Sequence, residues 1–242
     1  MCGRYVSSRR PEDTAGLFGA RLDDAAELPA SWNVAPTDPV WAVLERPLRG
    51  GGDEPVRQLR ALRWGLVPSW AKDPGVGARM INARVESVHE KPAYRKAFTA
   101  RRCLLPADGF YEWQPAKGPG GTVRKQPYYI APADGSVLAM AGLYEFWRDR
   151  ARSDDDPAAW LTTCTIITTD ATDAAGRVHP RMPLVVAPDA YDDWLDPRRQ
   201  DPDRLRKLLA VPAHGELEVR AVSTAVSNVR SNGPELIAPL TG

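Results

Sequence analysis

The stretch RCLLPADGFYEWQ, residues 102–114, contains two short β-like runs in succession, Arg102–Pro106 and Gly109–Gln114. Proline and glycine bound the break between them, and short apolar runs interrupted by such residues are typical of antiparallel sheets. The same pattern recurs through most of the chain. It predicts these further strands: Val40–Leu44, Gln58–Trp64, Gln126–Ala131, Val137–Leu143, Leu161–Thr168, Pro183–Ala187 and Glu216–Ala221.

Short helices are predicted where the apolar period changes, most of them with a proline near the first residue. They are Pro11–Gly19, Pro92–Ala100, Thr169–Gly176, Pro188–Leu195 and Pro202–Leu209. Three segments without periodicity read as exposed tips: Arg46–Pro55, Pro115–Gln126 and Arg148–Ala159. We find no repeat and no linker, so we expect one α+β domain over residues 1–242. Its sheet should be mainly antiparallel and curled toward a barrel or sandwich, with short helices outside.

The composition favours a cytoplasmic protein that contacts no membrane. The chain has 242 residues, 43% of them hydrophobic, which is enough for a real core. There is no apolar run of spanning length and no signal-peptide pattern. Three cysteines without a CxxC motif argue against a disulfide framework. The spacing of Cys2, Cys103, Cys164 and His179 matches no zinc pattern, so we expect no metal. We also expect no cofactor and a monomer.

The net charge of +1 hides a segregation of charge. Residues 57–105 carry eleven Lys or Arg and three acids, whereas residues 145–203 are rich in acids. A basic segment within a neutral protein suits a confined track for a polyanion such as nucleic acid. The alternative is a solvated basic face that an acidic face balances.

The amino-terminal sequence Met1-Cys2-Gly3 carries a second signal. A small residue at position 2 permits removal of the initiator methionine, which would leave a free α-amine and a thiol on Cys2. The amine of such a 1,2-aminothiol can capture an aldehyde as an imine, which the thiol closes to a thiazolidine. Alternatively, the thiolate can attack an acyl carbon with the amine as its base. Cys2 without any function is the third interpretation.

Polar side chains inside apolar or aromatic runs mark further candidates, because their burial costs free energy unless they are paired. If the segment is extended, Asn82, Arg84 and Glu86 lie on one face and can bind phosphate or sugar oxygens. Glu112 is surrounded by aromatic residues, which should raise its pKa and suit it to general acid catalysis. The structural alternatives are a surface strand edge for the first group and a Glu–Arg pair for Glu112.

His179 and two tryptophans complete the candidates. Prolines stiffen the segment around His179, which favours a proton shuttle. Trp64 and Trp70 lie in a loop punctuated by Gly and Pro, beside basic residues. We assign Trp64 to the core and expect Trp70 to stack on bases or wedge into a duplex, the alternative being that both anchor the loop.

Seven motifs, in order along the chain, resemble those of the SRAP (SOS-response-associated peptidase) family of abasic-site processing proteins. They are MCGRY (1–5), WNVAP (32–36), WGLVP (64–68), NARVE (82–86), GFYEW (109–113), HPRMP (179–183) and AVSNV (225–229). The resemblance implies recognition of abasic sites in single-stranded DNA, especially near junctions with duplex. It also implies a thiazolidine crosslink between an N-terminal cysteine and the ring-opened deoxyribose, which shields the lesion and associates the protein with the nucleoid.

The resemblance further implies roles for individual residues. Cys2 would be the covalent nucleophile, and Asn82 would orient it or the sugar. Glu112 would be the acid and base of ring opening and imine formation, and His179 would assist proton transfer, including reversal of the crosslink. Phosphate contacts are implied for Arg4, Arg84 and Arg181. The peptidase label of the family fits removal of residues ahead of the cysteine. The resemblance also implies weak lyase activity on the abasic strand.

Two rival functions remain open at the level of sequence. An N-terminal-nucleophile glutaminase would also begin with Cys-Gly after methionine removal, although the Gly-His-x-Arg-Trp run of that family is missing here. A non-catalytic module that binds single-stranded DNA would use the basic segment without any covalent step.

Overall fold

The computed structural model describes residues 2–23, 27–48, 50, 52–117, 123–153, 155–210 and 213–240. Within these ranges the chain forms thirteen strands and five short α-helices. The strands are β1 (Arg4–Ser7), β2 (Arg21–Leu22), β3 (Ser31–Val34), β4 (Pro39–Arg46), β5 (Val56–Trp64), β6 (Asn82–Arg84), β7 (Arg102–Ala107), β8 (Gly109–Lys117), β9 (Val123–Pro132), β10 (Leu138–Arg148), β11 (Trp160–Asp170), β12 (Arg181–Pro183) and β13 (Leu217–Ala221). The helices are α1 (Pro11–Leu17), α2 (Arg95–Ala100), α3 (Asp173–Gly176), α4 (Tyr191–Leu195) and α5 (Pro202–Leu208). None of the helices in these ranges has the length and apolar character that crossing a membrane requires.

Five strands close into a barrel. Strands β5, β4, β7, β10 and β11 are antiparallel neighbours in that order, and β11 returns to β5 by parallel pairing of Cys164 with Trp64. Inside this ring, a Cβ added to Gly142 would overlap Leu105 Cδ1 and lie 3.0 Å from the Thr165 carbonyl oxygen, so a larger residue there requires its neighbours to move. The predicted fold class, α+β with a curled, mainly antiparallel sheet and short peripheral helices, is confirmed.

A second sheet lies against the barrel. Its strands run in the order β13-β9-β8-β1-β3, and Arg4 of β1 stands opposite Tyr111 of β8. Side chains of β8 alternate between two cores. Phe110 packs in the core of the barrel, whereas Tyr111 packs on the other side with Val226 and Leu236. The carboxyl-terminal segment therefore covers the outer face of this second sheet.

The end of β11 has a short strand on each side. On one side, Ile166 pairs in parallel with Asn82 of β6. On the other side, Asp170 pairs with Arg181 of β12 in antiparallel register. The same end of the barrel thus positions two of the motifs singled out in the sequence, the one that begins with Asn82 and the one that begins with His179.

Several predicted boundaries are wrong. The strand expected at Pro183–Ala187 is Arg181–Pro183 instead, and beyond it Val185 forms only an isolated bridge. The helix expected from residue 92 begins at Arg95, and the one expected over residues 169–176 forms only at Asp173–Gly176 because β11 extends to residue 170. Strands β1, β2, β3 and β6 are too short to carry a clear alternating pattern. Residues 49, 51, 118–122 and 154 of the predicted exposed tips lie outside the described residues.

Candidate active site

Cys2 lies two residues before the first residue of β1, and its side chain is fully buried. Its Sγ lies 3.8 Å from the Arg4 carbonyl oxygen, which accepts the thiol hydrogen bond. Because Arg4 stands opposite Tyr111, the antiparallel register leads the chain ahead of Arg4 toward Glu112. Burial, followed by the negative charge of Glu112, raises the pKa of the Cys2 thiol. The thiol is therefore protonated at neutral pH and lies within the electrostatic reach of the carboxylate.

Asn82 reaches Cys2 from the barrel. Its Nδ2 donates a hydrogen bond of 2.8 Å to the Cys2 carbonyl, and the Tyr94 hydroxyl donates one of 3.4 Å to the carbonyl of Asn82 itself. The other amide atom, Oδ1, is buried and accepts no hydrogen bond from the described residues. A buried acceptor without a donor is costly, so this oxygen suits a donor on the Cys2 amine or on a substrate.

Glu112 is buried on β8. Alternation along the strand places its side chain on the same face as Phe110, toward the barrel core. Burial raises the pKa of Glu112, and the nearby His179 opposes this rise. A carboxyl group with a raised pKa holds a larger protonated fraction near neutral pH, which a general acid requires.

His179 lies on the turn between α3 and β12. Its Nδ1 is 3.9 Å from Glu112 Oε1 and accepts a 3.0 Å hydrogen bond from the backbone N–H of Arg181. The same nitrogen also lies 3.0 Å from the Arg181 carbonyl oxygen, to which it donates in the other tautomer, so this position of the ring accommodates either tautomer. The turn is itself tied down, because the Ala171 N–H donates to the Pro180 carbonyl at 2.9 Å. The ring is partly exposed, so it connects the buried carboxyl group to the surface.

The structure brings together the four residues that the sequence predicts to be catalytic. Glu112 lies in the second sheet and Cys2 just ahead of its strand β1, whereas Asn82 and His179 are held at the end of β11 in the barrel. The Asn82–Cys2 hydrogen bond and the Glu112–His179 approach both join one sheet to the other. The site is therefore assembled at the junction of the two sheets, and the role of each residue stays a prediction.

Two of the predicted phosphate-binding arginines are already bonded within the protein. Arg4 Nη1 donates to Asn33 Oδ1 at 2.8 Å and to the Val226 carbonyl at 2.9 Å. Arg181 bonds both Glu86 and Asp170 through Nη1, at 2.6 and 2.7 Å. Both guanidinium groups thus join separate segments around the site. Arg181 also uses Nη2 in bonds within the protein and its Nε is buried, so of the two only Arg4 has N–H groups left for phosphate within the described residues.

The Arg181 network extends to the neighbouring strand. Arg181 Nη2 donates at 2.6 Å to the carbonyl of Thr168 on β11. The side chain therefore links β12 both to β11 and, through Glu86, to the segment after β6. In contrast, Arg84 is exposed on β6 and is the predicted phosphate ligand most open to solvent.

Trp64 and Trp70 differ in exposure, one being buried and the other open to solvent. Trp64 is fully buried and donates from Nε1 to the Ile81 carbonyl at 2.9 Å, so its assignment to the core is confirmed. Trp70 is 66% exposed. Its loop is anchored by Trp147, whose Nε1 donates to the Ala71 carbonyl at 2.7 Å. The exposed ring of Trp70 therefore projects from a loop whose backbone is fixed by a hydrogen bond at the next residue.

Only six of the eleven cations in the basic segment, residues 57–105, are exposed. Of its eleven cations, Arg57, Arg60 and Arg101 form ion pairs with acids elsewhere, and the buried Arg102 donates to four backbone carbonyls. The exposed ones lie between residues 72 and 96 and are Lys72, Arg79, Arg84, Lys91, Arg95 and Lys96. They flank Asn82 along the chain, which narrows the candidate polyanion track to this segment.

Asn33 has no predicted role, although it lies within the motif WNVAP. This amide is buried and bonds the Arg4 side chain and three backbone carbonyls of the carboxyl-terminal segment. A polar residue within the otherwise apolar run WNVAP was the signal that could have identified it. Tyr94 contacts the Asn82 backbone, but no pattern in the sequence indicates that contact. In the ranges that the structure describes, we find no group of three or more His, Cys, Asp or Glu placed to hold a metal ion.

Comparison with known proteins gives a family and a set of relatives. The family model described as "SOS response associated peptidase (SRAP)" matches residues 1–229. The abasic site processing protein YoqW of Bacillus subtilis is 36% identical over 238 residues, which cover 98% of this chain and 99% of that protein. The abasic site processing protein HMCES of Xenopus tropicalis is 30% identical over 276 residues, which cover 99% of this chain and 78% of that protein.

Solved structures share the fold. A crystal structure of a protein from Bacteroides thetaiotaomicron superposes with a TM-score of 0.78 at 22% identity, covering 99% of this chain and 100% of that one. A second, from Bordetella bronchiseptica, has a TM-score of 0.69 at 27% identity and covers 92% of this chain and 100% of that one. The barrel with its second sheet is therefore a known architecture.

Proposed function

The chain belongs to the SOS response associated peptidase (SRAP) family, and on that premise we propose that it captures abasic sites in DNA through a covalent bond to Cys2. Its relatives named above are abasic site processing proteins. The observation that carries the proposal is the approach of Asn82 and Glu112 to Cys2 at the junction of the two sheets. The proposed partner is single-stranded DNA, including its junctions with duplex.

The first step opens the sugar. An abasic deoxyribose is mostly a closed hemiacetal, so a proton must reach the ring oxygen as another leaves the anomeric hydroxyl. Glu112, whose pKa burial raises, supplies the acid, and His179 accepts the proton from the hydroxyl. Their separation of 3.9 Å is longer than a hydrogen bond, so the proton returns from one group to the other through a bridging water or a substrate oxygen.

The covalent step needs the free α-amine that removal of Met1 would leave on Cys2. The amine adds to the aldehyde carbon, and the resulting carbinolamine loses one water to give an imine. The Cys2 sulfur then adds to the same carbon, and its proton passes to the imine nitrogen by way of Glu112. One C–N bond and one C–S bond form, and one water is the only product released.

The order of these additions agrees with the environment of the thiol. Because burial and the charge of Glu112 keep it protonated, it is a poor nucleophile at rest. The amine therefore attacks first, and the thiol follows once Glu112 takes its proton. A glutaminase needs the thiolate itself as the first nucleophile, so this environment favours aldehyde capture.

Ring closure by sulfur explains how the lesion is shielded. An imine acidifies the neighbouring C–H bond and promotes β-elimination, which cuts the strand. The thiazolidine lacks the iminium group, so elimination stops. Lyase activity is then a minor outcome of imines that escape closure, and peptidase activity is confined to what precedes Cys2.

The exposed cations of residues 72–96 and the ring of Trp70 supply the proposed DNA track. Phosphates would bind Arg84 and its exposed neighbours, with the remaining N–H groups of Arg4 closer to the sugar. Trp70 would stack on a base beside the lesion, a contact that needs no particular sequence. Binding of this kind weakens steeply as salt rises.

A denaturing gel tests the proposal. We expect methionine-processed protein to form a band that resists denaturation with a single-stranded oligonucleotide carrying one abasic site. A tetrahydrofuran analogue, which has no aldehyde, and the Cys2→Ala variant should form none. Glutamine hydrolysis by the same preparation, together with no crosslink, would support the glutaminase instead. Salt-sensitive binding without any crosslink would leave only a DNA-binding module.

A further inference from the structure

Two sequence motifs that the chemistry above does not use, WNVAP (32–36) and AVSNV (225–229), contact each other in the structure. Asn33 is 3% exposed, and its Nδ2 faces three carbonyls of the carboxyl-terminal segment. The distances are 3.2 Å to Val226, 2.9 Å to Asn228 and 2.9 Å to Ser231. One buried amide therefore fixes the path of the loop Ser227–Ser231.

Further hydrogen bonds stiffen this loop. Within it, Asn228 Oδ1 accepts from the Arg230 N–H at 3.1 Å, and the Asn228 carbonyl accepts from the Ser231 N–H at 3.1 Å. Beyond it, Asn232 Oδ1 accepts from the Trp32 N–H at 2.8 Å. The loop is thus held at its centre and at its end, and it presents its side chains from a fixed backbone.

The loop is joined directly to the neighbours of the reactive residues. Arg4, two residues after Cys2, donates to the Val226 carbonyl at 2.9 Å. Trp113, which follows Glu112, donates from Nε1 to Ser227 Oγ at 3.1 Å. Arg4 and Trp113 make these contacts on the outer face of the second sheet, at positions close in sequence to Cys2 and Glu112. A DNA strand that crosses the end of this sheet would therefore reach both the site and the loop.

The chemistry of the loop surface fits a nucleic acid strand. Val229 is 58% exposed, and Arg230 beside it is exposed and forms no ion pair with an acid in the described ranges. Residues 223–233 contain no Asp or Glu, and Ser and Asn make up five of those eleven residues. An available guanidinium, an exposed apolar side chain and polar neighbours match the contacts that DNA strands receive.

We propose that the loop Ser227–Ser231 is a second DNA-contact surface, separate from the basic segment 72–96. Arg230 binds a phosphate of the strand that carries the lesion, and Val229 packs against the adjacent sugar or base. The inference rests on the proposed function, because it takes DNA as the ligand of the neighbouring site. Asn33 is a positioning residue in this scheme, since it acts only through the loop that it holds.

Salt-dependent binding tests the loop without the covalent step. The probe is a fluorescent single-stranded oligonucleotide with a tetrahydrofuran site, and the readout is its anisotropy against protein over a series of salt concentrations. For Arg230→Gln we expect severalfold weaker binding at low salt. The slope of log K against log salt should also fall by about 0.7, the value for one phosphate contact on a single strand.

Two further variants make the result specific. Arg204→Gln removes a cation whose side chain is 83% exposed on α5, and it should leave the slope at the wild-type value. Val229→Ser should weaken binding without changing the slope, because it removes no charge. Melting temperatures of all three variants should match the wild type, since each changed side chain is exposed.

The inference is overturned if Arg230→Gln keeps both the wild-type affinity and the wild-type slope, or if Arg204→Gln lowers the slope equally. Crosslinking to an abasic oligonucleotide separates this failure from failure of the proposed function. Wild-type protein that crosslinks while the Arg230 variant keeps the wild-type slope refutes only the loop. Wild-type protein that does not crosslink refutes the covalent proposal, and the slope still decides the role of the loop.

Discussion

The hydrogen bond from Asn82 to the Cys2 carbonyl allows a quantitative prediction. Asn82→Ala removes a 2.8 Å bond and leaves the carbonyl of a fully buried residue without that donor. A buried acceptor left unsatisfied costs about 1–3 kcal/mol. If this cost falls on the reactive geometry, the crosslinking rate decreases by about 5- to 150-fold, because about 1.4 kcal/mol corresponds to a factor of ten. Asn82→Asp should lose at least as much, because its carboxylate faces the carbonyl oxygen.

The assay is the single-turnover rate of crosslink formation at saturating protein, with the melting temperature measured alongside. Gln58→Ala is a matched control, because the Gln58 amide is also buried and donates to a backbone carbonyl, that of Arg46, at 2.8 Å. We expect this control to lose stability but to keep its crosslinking rate. A folded Asn82→Ala variant within twofold of the wild-type rate would refute the reasoning. So would an equal loss of rate in the control, which would trace the effect to stability alone.

Other perturbations test the carboxyl group, the stacking residue and the barrel. Burial raises the pKa of Glu112 above its ordinary value of 4.5, so the wild type loses stability as pH rises from there through the folded-state pKa. Glu112→Gln should therefore melt higher than the wild type at pH 8 but not at pH 4, while crosslinking more slowly; an equal difference at both pH values would contradict this. Trp70→Ala should weaken anisotropy-detected binding by about 1–3 kcal/mol, the worth of one stacked base, and Trp70→Phe should retain most of it; equal losses would exclude stacking. Gly142→Ala should lower the free energy of unfolding in urea by about 1–3 kcal/mol, because its Cβ would lie 2.2 Å from Leu105 Cδ1. Gly16→Ala, in open space on α1, should raise the free energy of unfolding by about 0.5–1 kcal/mol. If both alanine variants changed this free energy in the same direction, the close packing around Gly142 on β10 would be contradicted.

Local patterns in the sequence predicted most of the strands and the residues that converge on the site. Glu112 was identifiable because a carboxyl group among aromatic residues must be desolvated, and the structure places it buried on β8. Asn82 was identifiable because it lies in an apolar run, and its pairing with β11 confirms that the segment is extended. In both cases the information lies within a few neighbouring residues.

The closure of the barrel and the partners of the arginines were not predictable in this way. The parallel pairing of Cys164 with Trp64 joins segments 100 residues apart, and no local period marks it. Arg4 and Arg181 carry the charge that phosphate requires, yet their partners, such as Val226 and Glu86, come from distant parts of the chain. Only the tertiary structure shows that these guanidinium groups also hold the site together.

The most direct test of the covalent proposal is the intact mass of the adduct with an abasic oligonucleotide, before and after borohydride treatment. We expect the mass of the protein without Met1 plus that of the oligonucleotide, less one water, and we expect borohydride to leave it unchanged because the thiazolidine has no C=N bond. Peptide mapping should place the adduct on Cys2. A gain of two hydrogens after borohydride, or an adduct on any other residue, would contradict capture by the Cys2 amine and thiol together.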